Sequence, residues 1–94
     1  NLDLVRRFTE KGSVPIRLIE PDGTYLAWLD CRGMGMTDEE LDEFFSQKAR
    51  VWLDPGVHSG EEGSGFMRLN LGSPRSIIEE ALGRIEAAWE KQNA

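Results

Sequence analysis

The sequence predicts an α+β domain of two layers: a mainly antiparallel sheet of about four strands, with helices packed on one face. Three observations carry that expectation. Segments with helical and strand patterning follow one another in the order α-β-β-α-β-β-α, so two strand pairs are set between helices. The chain has 94 residues and a mass of 10.6 kDa, which is room for one domain with one core. Its composition, 39% hydrophobic and 30% charged, is that of a globular chain rather than a disordered or membrane one.

Leu4, Val5 and Phe8 share one helical stripe, and Lys11-Gly12 is a stop signal, so a helix is expected over 2–11. An extended segment follows over 16–19. Pro15 biases Val14 away from helix and suits an edge strand. Glu20-Pro21-Asp22-Gly23 has turn chemistry, with proline presetting φ and glycine accepting a positive one. Residues 25–30 are rich in aromatic and apolar side chains on both faces, which predicts a central strand. Thr37-Asp38-Glu39-Glu40 is a capping box, and Leu41, Phe44, Phe45 and Ala49 continue it as an apolar stripe, giving a helix over 37–49. A third strand is predicted over 51–54, stopped by Pro55-Gly56. A glycine-rich loop runs to Gly65, and a fourth strand covers 66–71. Ser73 is a good N-cap residue and Pro74 suits a first helical position. The last helix, 74–91, would bury Ile78, Ala81, Leu82, Ile85, Ala88 and Trp89 and pair Glu80 with Arg84 outside.

Charge and cysteine usage narrow the function classes. A net charge of −6 repels phosphate backbones and argues against nucleic-acid binding. Cys31 is the one cysteine, so an internal disulfide and a cysteine metal site are both ruled out, and a cytoplasmic setting fits. No apolar run approaches the ~20 residues of a membrane helix, so no membrane partner is expected. A helical pattern already under way at Asn1 reads as part of something longer.

Arg68 is the most informative residue. The strand period of two places Phe66, Arg68 and Asn70 on one face, and Met67, Leu69 and Leu71 on the other, core face. A guanidinium on a mostly apolar strand needs a partner, and its planar fork suits a carboxylate held by two parallel hydrogen bonds. That carboxylate is either one of the chain's own acids or an external one. Other candidates are weaker. The 56–65 loop lacks the spacing and the lysine of a phosphate-binding loop, and Glu61 and Glu62 repel anions, which leaves a lip beside a site or a plain connection. Gly33-Met34-Gly35 is half a dinucleotide fingerprint without the βαβ unit. His58 has no cysteine partner for zinc, and Cys31 reads as a small buried filler. The acidic run from Asp38 to Glu43 is a helix N-terminus rather than a calcium loop.

Two segments go further: Gly23-Thr24-Tyr25-Leu26-Ala27-Trp28-Leu29-Asp30, and Gly65-Phe66-Met67-Arg68-Leu69-Asn70. With Asp54-Pro55-Gly56 before a glycine-rich loop, and Ser73-Pro74-Arg75 opening the last helix, they resemble the C-terminal small domain of fold-type I pyridoxal-phosphate enzymes. The resemblance is to the cystathionine β-lyase-like aminotransferases and spans Pro15 to Trp89. It implies that the arginine at the Arg68 position binds the α-carboxylate of an amino-acid substrate. It also implies that Gly23, Thr24, His58 and Ser59 edge the active-site entrance. This chain has Ser59-Gly60 where the family often has Phe-Gly, which puts that loop's contact with substrate in question.

The resemblance further implies an aminotransferase or carbon–sulfur β-lyase acting on L-amino acids with pyridoxal 5′-phosphate. Residues 1–12 would end an inter-domain helix and 13–94 would form the small domain. The large cofactor-binding domain of the same chain, and a second copy in a homodimer, are the implied partners. The family's cofactor lysine sits in a Ser-x-x-Lys context, which Lys11, Lys48 and Lys91 lack, so this chain alone is expected to be inactive and to hold no cofactor. Transamination and β-elimination begin alike, and these residues do not separate them. The competing expectation is a standalone binding or interaction module without catalysis.

Overall fold

The computed structural model describes residues 1–19, 26–56 and 60–93. The elements, in chain order, are α1 (Leu2–Lys11), β1 (Arg17–Ile19), β2 (Leu26–Asp30), α2 (Asp38–Glu43), β3 (Asp54–Pro55), β4 (Phe66–Asn70) and α3 (Arg75–Gln92). A 3₁₀ turn at Arg32–Met34 precedes α2, a π-helical turn at Phe44–Lys48 extends it, and a 3₁₀ turn at Glu61–Gly63 precedes β4. The four strands form one sheet in the order β1-β2-β4-β3, antiparallel throughout. The predicted α+β fold is the observed one, with β2 and β4 central as their apolar patterning requires.

Local chemistry explains most boundaries. Helix α1 stops where Gly12 turns left-handed at φ +76°. The side chain of Asn1 donates to the carbonyls of Leu71 and Ser73 at 2.8 and 2.6 Å, tying the start of the chain to the β4–α3 turn. The capping box at α2 is formed: the Thr37 hydroxyl accepts from the Glu40 amide at 3.1 Å, and the Glu40 carboxylate accepts from the Thr37 amide at 2.9 Å.

Three expectations need correction. The helix over 37–49 is not uniform, because it widens into a π turn from Phe44 on. Phe44 and Phe45 are adjacent and both fully buried, and the wider turn, closed by the Ala49 amide on the Phe44 carbonyl at 2.9 Å, lets both rings and Ala49 reach the core. The third strand is not 51–54. Arg50 takes a left-handed φ of 56°, Val51 dips into the core, Trp52 stands 95% exposed, and the ladder forms only at Asp54 and Pro55. Pro55 therefore pairs with Met67 instead of stopping the strand, which an edge position permits. Finally, Pro74 is the cap of α3 rather than its first residue. Its carbonyl accepts from Ile77 and Ile78, and Ser73 makes no side-chain cap.

The helices cover one face of the sheet. Ala27, Leu29, Met67 and Leu69 point there, against Val5, Phe8, Leu41, Phe44, Phe45, Ile78, Leu82 and Ile85. The other face carries Trp28, Phe66 and Arg68, all half-buried.

Candidate functional site

The register of the central ladder builds the site. Trp28 on β2 and Asp54 on β3 lie directly opposite Arg68 on β4, one on each side. Alternation puts Arg68 on the open face while Met67 and Leu69 fill the core, as the period of two required. The guanidinium lies over the Trp28 ring, its carbon 5.8 Å from the ring centroid. One Nη2–Oδ2 contact of 3.4 Å joins it to Asp54, itself 67% exposed. A long contact to an exposed acid contributes about 0–1 kcal/mol. Arg68 Nε is buried and finds no hydrogen-bond partner among the described residues. Arg68 thus has an internal acid beside it, but not the two-bond partner its fork suits.

The other end of the same face is the opposite case. The Arg32 guanidinium donates to Asp30 through Nε at 3.0 Å and Nη2 at 2.9 Å, and the Arg32 backbone amide donates to the same carboxylate at 3.1 Å. Asp30 is 5% exposed. The Arg32 side-chain hydrogen bonds, then its amide and the charges of Arg32 and Arg17, hold the Asp30 carboxyl below the usual carboxylate range against the opposing effect of burial. Arg32 also lies 5.1 Å over the Phe66 ring, and Phe66 meets Trp28 edge-on, with centroids 6.3 Å apart. Sequence reasoning missed this pair. Its signal was the Asp-x-Arg spacing at a strand end, where an aspartate caps the amide two residues on.

A shallow apolar cavity of about 280 Å³ adjoins the aromatic pair, lined by Ile19, Trp28, Glu62, Gly63 and Phe66. Its rim is set by backbone on backbone. A Cβ on Gly56 would lie 2.5 Å from the Gly63 carbonyl oxygen and 2.9 Å from Trp28 Cζ3, so only glycine allows this approach. Asp38 ties α2 to the same region by accepting from the Ser64 hydroxyl at 2.6 Å and the Gly65 amide at 2.7 Å, which lowers its pKa.

Of the sequence-predicted site residues, Arg68 lies on the open face. Gly23, Thr24, His58 and Ser59 lie outside the described residues. Cys31 is fully buried, and burial pushes its thiol up to about 12, so it is a filler as expected. Lys11 pairs with Glu86 at 2.9 Å and Lys48 donates to Gln92 at 3.3 Å, both at exposed positions, and Lys91 is exposed. All three stand exposed to solvent rather than in an enclosed pocket, so these lysines do not fit covalent attachment of a carbonyl cofactor. Among the described residues no three of His, Cys, Asp and Glu gather to hold a metal, and no helix is long and apolar enough to cross a membrane.

No family model matches the chain. Individual relatives do. Cystathionine β-lyase PatB of Bacillus subtilis is 36% identical over 88 residues, 94% of this chain and 23% of the relative. An aspartate aminotransferase of Pyrococcus horikoshii is 35% identical over 80 residues, 85% of this chain and 20% of the relative. The crystal structure of cystalysin from Treponema denticola, which contains pyridoxal 5′-phosphate, superimposes with a TM-score of 0.91 at 36% identity, covering 98% of this chain and 23% of that one. The chain spans under a quarter of the length of the relatives it matches. It corresponds to the C-terminal small domain of the fold-type I pyridoxal-phosphate enzymes, among the cystathionine β-lyases and their aminotransferase homologues.

Proposed function

We propose that this chain is the substrate-carboxylate-binding domain of a pyridoxal-phosphate-dependent aminotransferase or carbon–sulfur β-lyase that acts on L-amino acids, with Arg68 as the residue that takes the α-carboxylate. The observation that supports this is the incomplete bonding of Arg68. A guanidinium carries five N–H donors. Among the described residues Asp54 occupies one, at 3.4 Å, while Nε is buried without a partner. Arg32, on the same face, has its fork filled by a buried carboxylate. An arginine held in an apolar setting with most donors unused is matched to a planar anion from outside, and an amino acid supplies one.

Pyridoxal phosphate, when bound, supplies an electron sink for the bonds at the substrate's Cα. The groups that hold it are assigned to the large domain of the same polypeptide, since Lys11, Lys48 and Lys91 do not fit that role. Borohydride reduction of the isolated chain with the cofactor is expected to label no single lysine. In this assignment residues 1–12 end the inter-domain helix, 13–94 are the small domain, and the whole enzyme is a homodimer. What the chain's own residues contribute is to seize and orient the substrate by its carboxylate.

The test is Arg68→Ala in the full-length enzyme. The expected fall in kcat/KM for amino acids is about 30- to 1000-fold, equivalent to losing roughly 2–4 kcal/mol of charged, bidentate contact. Arg68→Lys recovers part of it, because an ammonium cannot offer two parallel donors in one plane. The comparison that decides is amino acid against its decarboxylated amine. Wild type favours the acid strongly, and Arg68→Ala loses most of that preference. Retention of the preference would assign the carboxylate to another residue.

A further inference from the structure

We infer that Trp28 is a positioning residue for Arg68: its indole face fixes the guanidinium without occupying any of its hydrogen-bond donors. The inference rests on the carboxylate assignment made for Arg68 above.

An arginine with one long ion pair to an exposed acid has little to hold it in a single rotamer, and ordering so long a side chain is entropically costly. A second internal carboxylate would order it, but would consume the two parallel donors that a substrate needs. An aromatic face does not. It attracts the cation through its quadrupole and leaves every N–H free. Trp28 sits in register with Arg68 across the β2–β4 ladder, on the same face, with the guanidinium carbon 5.8 Å from its ring centroid.

The ring is itself fixed from two directions, and one of those neighbours is held in turn. Phe66 meets it edge-on, at 6.3 Å between centroids and 77° between planes. The Gly56 backbone closes in so tightly that a Cβ there would lie 2.9 Å from Trp28 Cζ3. Behind Phe66 lies Arg32 at 5.1 Å, locked by its two-bond fork to the buried Asp30. A continuous stack therefore runs Asp30–Arg32–Phe66–Trp28–Arg68 across the open face. It begins at a two-bond ion pair to a buried carboxylate and ends at a guanidinium with one long contact to an exposed acid.

The test is a double-mutant cycle in the full-length holoenzyme, with kcat/KM measured for an amino acid and for its decarboxylated amine. Trp28→Leu is expected to lower the acid-over-amine preference by about 3- to 10-fold, chiefly through a higher KM for the acid. Trp28→Phe, which keeps a ring face, retains most of the preference. In Arg68→Ala, adding Trp28→Leu lowers the preference no further, since the platform has nothing left to position. A merely structural Trp28 would lower kcat/KM for acid and amine alike and leave the preference unchanged; that result, or a further loss of preference when Trp28→Leu is added to Arg68→Ala, overturns the inference. Should Trp28→Leu not fold, Phe66→Leu removes the ring behind Trp28. A 2- to 3-fold loss of preference is then expected, and an unchanged preference refutes the stack. If Arg68→Ala itself keeps the preference, the carboxylate assignment fails. If Arg68→Ala loses it and both Trp28→Leu and Phe66→Leu keep it, only the role of Trp28 fails.

Discussion

Strand β4 presents two unlike surfaces. Met67 and Leu69 point into the helix-covered core and are almost wholly buried, while their neighbours Phe66 and Arg68 lie on the opposite face, which no helix among the described residues covers. On the covered face every side chain is apolar and closely packed. On the open face polar bonding is uneven: Arg32 holds the Asp30 carboxylate by two parallel bonds, whereas Arg68 has, among the described residues, one long contact and a buried, unpartnered Nε. The difference separates two tasks within a single strand. The covered face holds the fold together. The open face keeps one group underbonded at some cost to the fold, which is what a binding site requires.

The largest effect expected from substitution belongs to the covered face. Met67→Ala removes a fully buried side chain at the centre of the sheet and should lower unfolding free energy by about 2–5 kcal/mol. Phe66→Leu, on the neighbouring residue but the open side, should cost less than about 1.5 kcal/mol. Urea titrations of the two variants measure the contrast. Comparable losses would mean that the open face carries as much of the stability as the core.

Next in size is the ion pair at the far end of the open face. Asp30→Asn keeps the shape of the carboxylate but turns two charge-assisted bonds into weaker or repelling contacts. The expected loss is about 1.5–3 kcal/mol. The same pair sets a pH dependence. The folded pKa of Asp30 lies below its ordinary value of 3.8, so the folded state favours the ionised form. Its contribution is therefore complete above pH 3.8 and is lost as the pH falls below that value toward the folded pKa. Urea midpoints taken from pH 6 downward should drop below about pH 4 in wild type. The drop should be shallower in Asp30→Asn. An equal drop in both would place the acid sensitivity elsewhere, for instance at Asp38 or Glu86, whose pKa values are also lowered.

The covered face was the legible one. Its residues obey two periodicities, 2 along β4 and roughly 3.6 along the helices, and each reports burial one residue at a time. Spacing alone therefore assigns Met67, Leu69, Leu41 and Ile78 to the core, where the structure has them. Phe44 and Phe45 show where that logic bends. The apolar stripe includes both, yet the adjacent rings are seated in the core through a π turn, which periodicity does not encode. The 51–54 segment fails for a related reason. Its apolar residues read as a strand, but Arg50 turns left-handed and the exposed Trp52 is carried away from the ladder. On the open face, alternation found Arg68 and its neighbour Phe66. It did not find Trp28 or Asp54 as their partners, because cross-strand register is set by turns and long-range pairing. The entrance residues Gly23, Thr24, His58 and Ser59 rest on family resemblance, outside the described residues.

The smallest expected change in stability is at the residue with the largest expected role. Arg68→Met replaces the guanidinium with an unbranched apolar chain of similar reach. It removes a buried, unpaired Nε, whose lack of a partner weakens the folded state, and one 3.4 Å contact to an exposed acid, worth at most about 1 kcal/mol. The new thioether packs against the Trp28 ring, a contact of about 0.3–1.5 kcal/mol. These effects nearly cancel or favour the variant, so the unfolding free energy should stay within about 1 kcal/mol of wild type or rise. In the full-length enzyme the same substitution should lower kcat/KM for amino acids as far as Arg68→Ala does, because neither side chain offers a donor. An arginine retained for the fold behaves in the opposite way, and Arg32→Met, which strands the buried Asp30, should lower the urea midpoint clearly. Measuring the two methionine variants side by side sharpens the contrast between the well-bonded and underbonded ends of the open face. If Arg68→Met destabilised the chain as much as Arg32→Met, Arg68 would be a structural arginine and the open face would have no underbonded group to offer a substrate.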